Sequence, residues 1–291
     1  MHAGEVEVDA DVVRRLVAAQ FPALGDLRIS AFGSTGTVNA IFRLGDDLYA
    51  RLPRMERWAK DLEREWEWLP RLAPHLSLSV PEPVALGRPD AGYPFTWAIY
   101  GWIDGAPYTD ALVDDEVAAA AALARFVAEL RRIEPIPGAP RAGRRPLGEL
   151  DAVTREAIAA ASPDIDAGAA TAAWERALRA PAWEGTPVWI HADLLRPNVL
   201  ARDGRIAAVI DFGAAGLGDP ATDVIAAWSV FGPAGRARYR SALKVGDAMW
   251  SRARGIALHQ AALIIPYYRE TNPAFVALAV RTIEQLLGDG G

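Results

Sequence analysis

The stretch VWIHADLLRPNVLARDGRIAAVIDFG, residues 188–213, constrains this chain more than any other. Val-, Ile- and Leu-rich runs flank Asp203-Gly204, a dipeptide suited to the tight turn of a β-hairpin. Helical patterns dominate from about residue 150 onward, so a small β element is set into a helix-rich half. Polar residues sit on it at fixed places: His191-x-Asp193-x-x-x-x-Asn198 before the hairpin and Ile210-Asp211-Phe212-Gly213 after it.

Phosphoryl transfer to a hydroxyl needs a carboxylate near the attacking oxygen and Mg²⁺ to neutralise charge on the nucleotide phosphates. Asp193 is the candidate to accept or orient the hydroxyl proton. Asn198 and Asp211, brought together by the hairpin, are the candidate Mg²⁺ ligands, both offering hard oxygen. His191 completes the catalytic set as a buttress of the loop rather than a chemical group. A lone Asp-Phe-Gly or His-x-Asp says little, because strands often end in Asp or Gly turns; this order and spacing together argue against coincidence.

The first hundred residues have a different texture. Val12, Val13, Leu16 and Val17 recur at helical spacing over 11–21. LRISAFGSTGTVNAIFRLGDDLYARLP then alternates β-prone runs with glycine turns, and Gly45-Asp46-Asp47 marks a hairpin, so three antiparallel strands are expected. Leu62, Trp66, Leu69 and Leu72 form the apolar stripe of a helix over 58–72. VPEPVALG and FTWAIYGWIDG supply two further strands. The reading is α+β: an antiparallel-sheet unit with one main helix over 1–103, and a mostly helical unit with small β-hairpins over 104–291. In the second, Asp114 opens a helical run ended by Pro135, Pro137 and Pro140, and RAGRR at 141–145 reads as a solvated loop.

Composition removes several function classes. At 51% hydrophobic and 23% charged residues, the chain is globular rather than disordered. A formal charge of −6 recommends neither nucleic acid nor a membrane surface as partner. With no cysteine there is no disulfide, thiolate metal site or Cys nucleophile, which fits a reducing compartment. The start MHAGEVEVDA is acidic where a signal peptide is basic, and no apolar run approaches the ~20 residues of a membrane span. A cytoplasmic protein, monomer or homodimer, is expected. The histidines at 2, 75, 191 and 259 lack metal-ligand spacing, and a Ser hydrolase would need a G-x-S-x-G elbow.

These motifs resemble the aminoglycoside phosphotransferase family, the small-molecule relatives of protein kinases. His-x-Asp-x-x-x-x-Asn with a small residue at Ala192 is that family's catalytic-loop pattern, and Gly218-Asp219-Pro220-Ala221-Thr222-Asp223 is similar to the segment after its metal-binding Asp. GSTGTVNAIFRLGDDLYARLPR, with Trp102 and residues 68–72, looks like the macrolide phosphotransferase branch. The resemblance covers most of the chain, tightly only at 33–54 and 191–223.

It implies a bilobal protein-kinase-like fold, Mg²⁺, ATP or GTP as donor, and a small hydroxylated acceptor, commonly an aminoglycoside or macrolide antibiotic. Gly33, Ser34, Thr35 and Gly36 would lay backbone N–H groups over the phosphates, although the loop is neither a P-loop nor a full G-x-G-x-x-G. Backbone groups of Gly101, Trp102 and Ile103 would read the purine edge. Asp223 would brace the catalytic loop. The departure is Arg51, which stands where kinases carry a phosphate-binding Lys. Arg is a planar, permanently charged fork, so the exchange is not conservative. Glu65 is its expected partner and Glu63 the competitor.

The acceptor is less legible. Asp110, Asp114, Asp115, Asp164, Asp166 and Glu270 are candidate holders of ammonium groups. Trp228, Phe231, Trp250, Tyr267 and Tyr268 are candidate apolar walls, with caps and core packing as their ordinary alternatives. Two other functions share the motifs: a metabolic kinase for an amino alcohol, sugar or homoserine, and a catalytically silent nucleotide-binding module.

Overall fold

The structure, a computed structural model, describes residues 5–33, 38–90 and 92–289. The chain forms two compact units. The first comprises Met1–Pro74, Ser79–Asp104 and Val209–Ala214; the second comprises His75–Leu78, Gly105–Ala208 and Ala215–Gly291. The first unit therefore takes in the Asp-Phe-Gly segment from far along the chain, which no single cut in the sequence expresses.

In the first unit, helix α1 (Ala10–Gln20) is capped by Asp9, whose Oδ1 accepts from the Val12 N–H at 2.8 Å. Strands β1 (Ile29–Phe32), β2 (Asn39–Leu44) and β3 (Leu48–Pro53) follow, and helix α2 (Glu56–Leu72) separates them from β4 (Pro83–Gly87) and β5 (Trp97–Gly101). The sheet order is β1-β2-β3-β5-β4, antiparallel throughout. Gly45 reverses the chain between β2 and β3 at φ 57°, where a side chain would be strained.

Strand alternation divides the sheet into two faces. Phe42, Leu44, Ala50, Leu52, Trp97 and Ile99 pack with Val13, Leu16 and Val17 of α1 into one core. Ala98 and Tyr100 face the other way and meet Leu62 of α2. The register aligns Ile41 with Arg51 and Arg51 with Ala98, placing Arg51 on this second face. Gly87 lies so close to Trp97 that a Cβ would fall 2.1 Å from the indole.

The second unit begins with the short β6 (Ala106–Pro107) and helix α3 (Glu116–Arg132), whose first turn is capped by Asp115 through the Val117 and Ala118 amides. Helices α4 (Asp151–Ala160) and α5 (Ala167–Leu178) precede β7 (Val188–Ile190), β8 (Val199–Arg202), β9 (Arg205–Val209) and β10 (Gly216–Gly218). β7 pairs with β10, while β6, β8 and β9 form a three-stranded sheet. The short α6 (Ala226–Ser229), α7 (Pro233–Ala242), α8 (Asp247–Tyr268) and α9 (Pro273–Gly288) complete the unit. Glu116 ties α3 to α7, its carboxylate accepting from the Gly232 and Gly235 amides.

The RAGRR segment departs in part from a plain solvated loop. Arg141 bridges to Leu217 in parallel, and the Ala142 N–H donates to the Leu217 carbonyl at 3.0 Å. Arg144 and Arg145 alone of its basic residues stay exposed without strand contact. Among the described residues, no helix is long and apolar enough to cross a membrane.

Helix α8 buries a titratable group, His259, at 4% exposure. The Thr154 hydroxyl donates its one proton to the Leu150 carbonyl at 2.7 Å, so the 2.8 Å contact makes His259 Nδ1 the donor and Thr154 the acceptor. Burial, then Arg144 and Arg145, push the His259 pKa down to about 4. Unfolded, the imidazole titrates near 6.5, so the unfolded chain binds the extra proton first. This contribution is present above about pH 6.5 and is lost as pH falls towards 4, amounting to about 2–3 kcal/mol. Urea unfolding across this window should show that loss, and His259→Leu should flatten it.

Candidate active site

The catalytic-loop candidates lie between β7 and β8, in the second unit. Ala192 adopts φ 67°, a left-handed conformation uncommon for a residue with a Cβ. Asp223 holds it there: its two carboxylate oxygens accept from the His191 N–H at 2.9 Å and the Ala192 N–H at 2.8 Å. Asp223 is fully buried, and burial pushes its carboxyl above the usual carboxylate range, with His191 and the two amides pulling the other way. Tyr239 donates to the Asp223 carbonyl at 2.9 Å and fixes the same residue from behind.

His191 is wholly buried, and its Nδ1 accepts from the Asp193 N–H at 3.3 Å. The imidazole thus lies under the loop backbone. Asp193 is half-buried. Its Oδ2 accepts from Asn198 Nδ2 at 2.9 Å, and the same amide group donates to the Asp193 carbonyl at 2.9 Å. Its Oδ1 accepts from Gln260 Nε2 of α8 at 2.8 Å. Ser229 of α6 secures the next turn through the Leu194 carbonyl, and Arg196 through the Val230 carbonyl.

In the first unit, a second cluster gathers around Arg51, which is 6% exposed. Its Nη1 donates to both carboxylate oxygens of Glu65 at 3.0 Å. Its Nη2 donates to Asp211 Oδ1 at 2.7 Å. The guanidinium is donor-only, so the adjacent Asn39 amide presents its oxygen, accepting from Nε at 3.0 Å and Nη2 at 3.2 Å. Burial opposes the charge on Arg51, but Glu65 and Asp211 more than offset it and hold the group charged.

Glu65 also accepts from the Phe212 N–H at 2.6 Å, and Arg64 donates to the Gly213 carbonyl at 3.1 Å. Helix α2 therefore carries the Asp-Phe-Gly segment, in which Asp211 takes φ 66°. Glu63 points elsewhere, accepting from the Thr96 hydroxyl.

The nucleotide-edge candidates are narrowed by the sheet. The Gly101 N–H is spent on the Glu82 carbonyl at 2.9 Å and the Trp102 N–H on the Asp47 carbonyl at 2.7 Å. Both N–H groups are thus engaged within the first unit, which leaves the carbonyls of Gly101 and Trp102 and the backbone of Ile103 as the groups expected to read a purine edge. The Trp102 ring is covered by Arg43 at 3.8 Å and edged by Phe32. Gly33 is exposed at the end of β1 with open space around its Cα. Ser34, Thr35, Gly36 and Thr37 lie outside the described residues.

A profile described as the phosphotransferase enzyme family matches residues 30–256 of this sequence. The chain belongs to that family. A comparison with curated proteins gives no match in sequence. Among solved structures, the chain is similar to the GDP complex of wild-type aminoglycoside 2'-phosphotransferase-IIIa at 18% identity and TM-score 0.71, covering 98% of this chain and 100% of that one. It is similar to the GDP and kanamycin complex of APH(2")-IIia at 18% identity and TM-score 0.74, covering 96% and 99%. It is also similar to macrolide 2'-phosphotransferase MphH from Brachybacterium faecium at 22% identity and TM-score 0.61, covering 94% and 97%. At these identities the likeness establishes the fold alone: kinase-like, with an antiparallel-sheet unit and a helical unit. The similar structures include both aminoglycoside and macrolide phosphotransferases.

Most acceptor candidates have structural employment. Asp110 pairs with Arg196, Asp164 with Arg269, and Asp115 and Asp166 cap α3 and α5. Trp228 and Phe231 are fully buried, and Trp250 packs on Trp228 with ring centroids 4.4 Å apart. Asp114, Glu270 and Tyr267 are exposed. Sequence reading missed Asn39 and Gln260, of which only Gln260, a polar residue in the apolar run ALHQAALII, carried a signal.

Proposed function

We propose that this phosphotransferase moves the γ-phosphoryl group of ATP or GTP to a hydroxyl of a small molecule, with an aminoglycoside or macrolide antibiotic as the acceptor best supported. The observation that carries the reading is the Asp193 carboxylate, gripped on both oxygens by neutral amides on a loop whose strained turn is locked by Asp223. A fixed, half-buried carboxylate of this kind suits orientation of an acceptor hydroxyl and receipt of its proton. Similar solved structures hold GDP, and one holds kanamycin as well.

Asn198 and Asp211 each carry the hard oxygen that Mg²⁺ takes. Asn198 commits its Nδ2 to Asp193, which leaves its oxygen turned away from that carboxylate, and Asp211 has a partly exposed carboxylate. Asn198 and Asp211 would hold the ion through hard oxygen. When bound, Mg²⁺ supplies neutralisation of phosphate charge. Arg51, fixed by Glu65, presents a permanent positive charge to the same phosphates.

The test is mass spectrometry of a panel of aminoglycosides, macrolides and simple alcohols incubated with Mg²⁺ and either nucleotide. One acceptor class should gain a single phosphoryl group. Bound nucleotide with no product from any acceptor would favour the silent nucleotide-binding module.

A further inference from the structure

Gln260 stands in the middle of α8 among Ala257, Leu258, Ala261 and Ala262, all buried. It is 8% exposed, and its Nε2 donates to Asp193 Oδ1 at 2.8 Å. An ionised carboxylate only accepts hydrogen bonds, so the orientation of the amide is forced: N–H towards Asp193 and Oε1 away from it. Among the described residues that oxygen, though buried, has no hydrogen-bond partner. A buried carbonyl without a partner is destabilising. Packing therefore does not account for glutamine here; methionine would fill a similar space without the orphan oxygen.

What the amide does supply is a neutral donor. Asn198 holds one oxygen of Asp193 and Gln260 the other, which stops rotation of the carboxylate about its Cβ–Cγ bond. A lysine or arginine in place of Gln260 would grip the same oxygen but weaken its affinity for a proton, and an acid would repel it. From this geometry we infer that Gln260 is a positioning residue for the phosphoryl-transfer step, acting through Asp193 and not by contact with either substrate. The inference rests on the phosphotransferase reading above.

Gln260→Met tests it. With an acceptor found by the panel, kcat should fall about 10- to 100-fold, the scale of one hydrogen bond to a charged group. KM for nucleotide and acceptor should stay within about twofold, and the melting temperature should not drop, because an unsatisfied oxygen has been removed. Gln260→Glu should lower kcat at least as far. In an Asp193→Asn background, Gln260→Met should change residual turnover little, since the group it positions is gone.

Unchanged kcat overturns the inference, as does a parallel loss of stability and activity, which is the mark of a merely structural residue. A raised acceptor KM at constant kcat overturns it in favour of direct acceptor contact. Failure of wild-type protein to phosphorylate any acceptor overturns the function itself and the inference with it. The melting comparison needs no acceptor, and a large drop in Gln260→Met would by itself refute the orphan-oxygen argument.

Discussion

Asp193→Asn is expected to lower turnover by roughly 10²–10⁴-fold, the range associated with loss of a positioned general base. Nucleotide affinity should change only a few-fold, because the donor-side cluster of Arg51, Glu65 and Asp211 belongs to the other unit of the chain. The substitution is nearly isosteric, yet it is not silent structurally. Both oxygens of Asp193 accept from amide N–H groups, one from Asn198 and one from Gln260. An asparagine must turn its own NH₂ towards one of those donors, so one grip on the side chain is broken along with the charge. Steady-state kinetics alongside calorimetric nucleotide titration separate the two effects. Turnover within threefold of wild type would remove Asp193 from the reaction.

The parts of this architecture that were legible in the sequence share one physical property: they are local. The β2–β3 hairpin follows from Gly45-Asp46-Asp47, the α3 start from a capping aspartate, and the α2 stripe from apolar spacing. The pairing of Arg51 with Glu65 over Glu63 was within reach because helical positions two apart point about 200° apart, and only Glu65 lies on the buried side with Leu62 and Leu69.

What was not legible depends on tertiary placement. Nothing local shows that Asn39, opposite Pro53 and so diagonal to Arg51 across the β2–β3 pair, would complete the coordination of Arg51. The positive φ of Ala192 is imposed by the distant Asp223 carboxylate, since alanine disfavours that conformation, whereas aspartate at 211 tolerates it more readily. The pairing of the Gly101 and Trp102 N–H groups with Glu82 and Asp47 is likewise set by the fold, since such partners are invisible in one dimension. The acceptor acids were legible as charges and as caps, which Asp115 and Asp166 are, but not as the ion pairs that Asp110 and Asp164 make.

Arg51→Met should destabilise the protein by about 3–5 kcal/mol near neutral pH, the cost of leaving one partner of a buried ion pair behind. Glu65 is the partner in question: its side chain has no solvent exposure, and Arg51 meets both its oxygens. The Phe212 N–H remains as a donor, too little to replace a guanidinium.

A second change separates charge burial from packing. Replacing both partners, as Arg51→Met with Glu65→Gln, removes the uncompensated charge and should restore most of the stability, since exchange of a buried pair for neutral groups is often near neutral. Activity should stay low, because the guanidinium offered to the phosphates is gone. Arg51→Lys should fall between: it keeps the charge but brings three donors where the planar guanidinium spends five on Glu65, Asp211 and Asn39. Urea unfolding of the four proteins near neutral pH is the measurement. A loss below about 1 kcal/mol for Arg51→Met, the scale of an exposed pair, would mean that the cluster is solvated in solution and that Arg51 holds its place by packing alone.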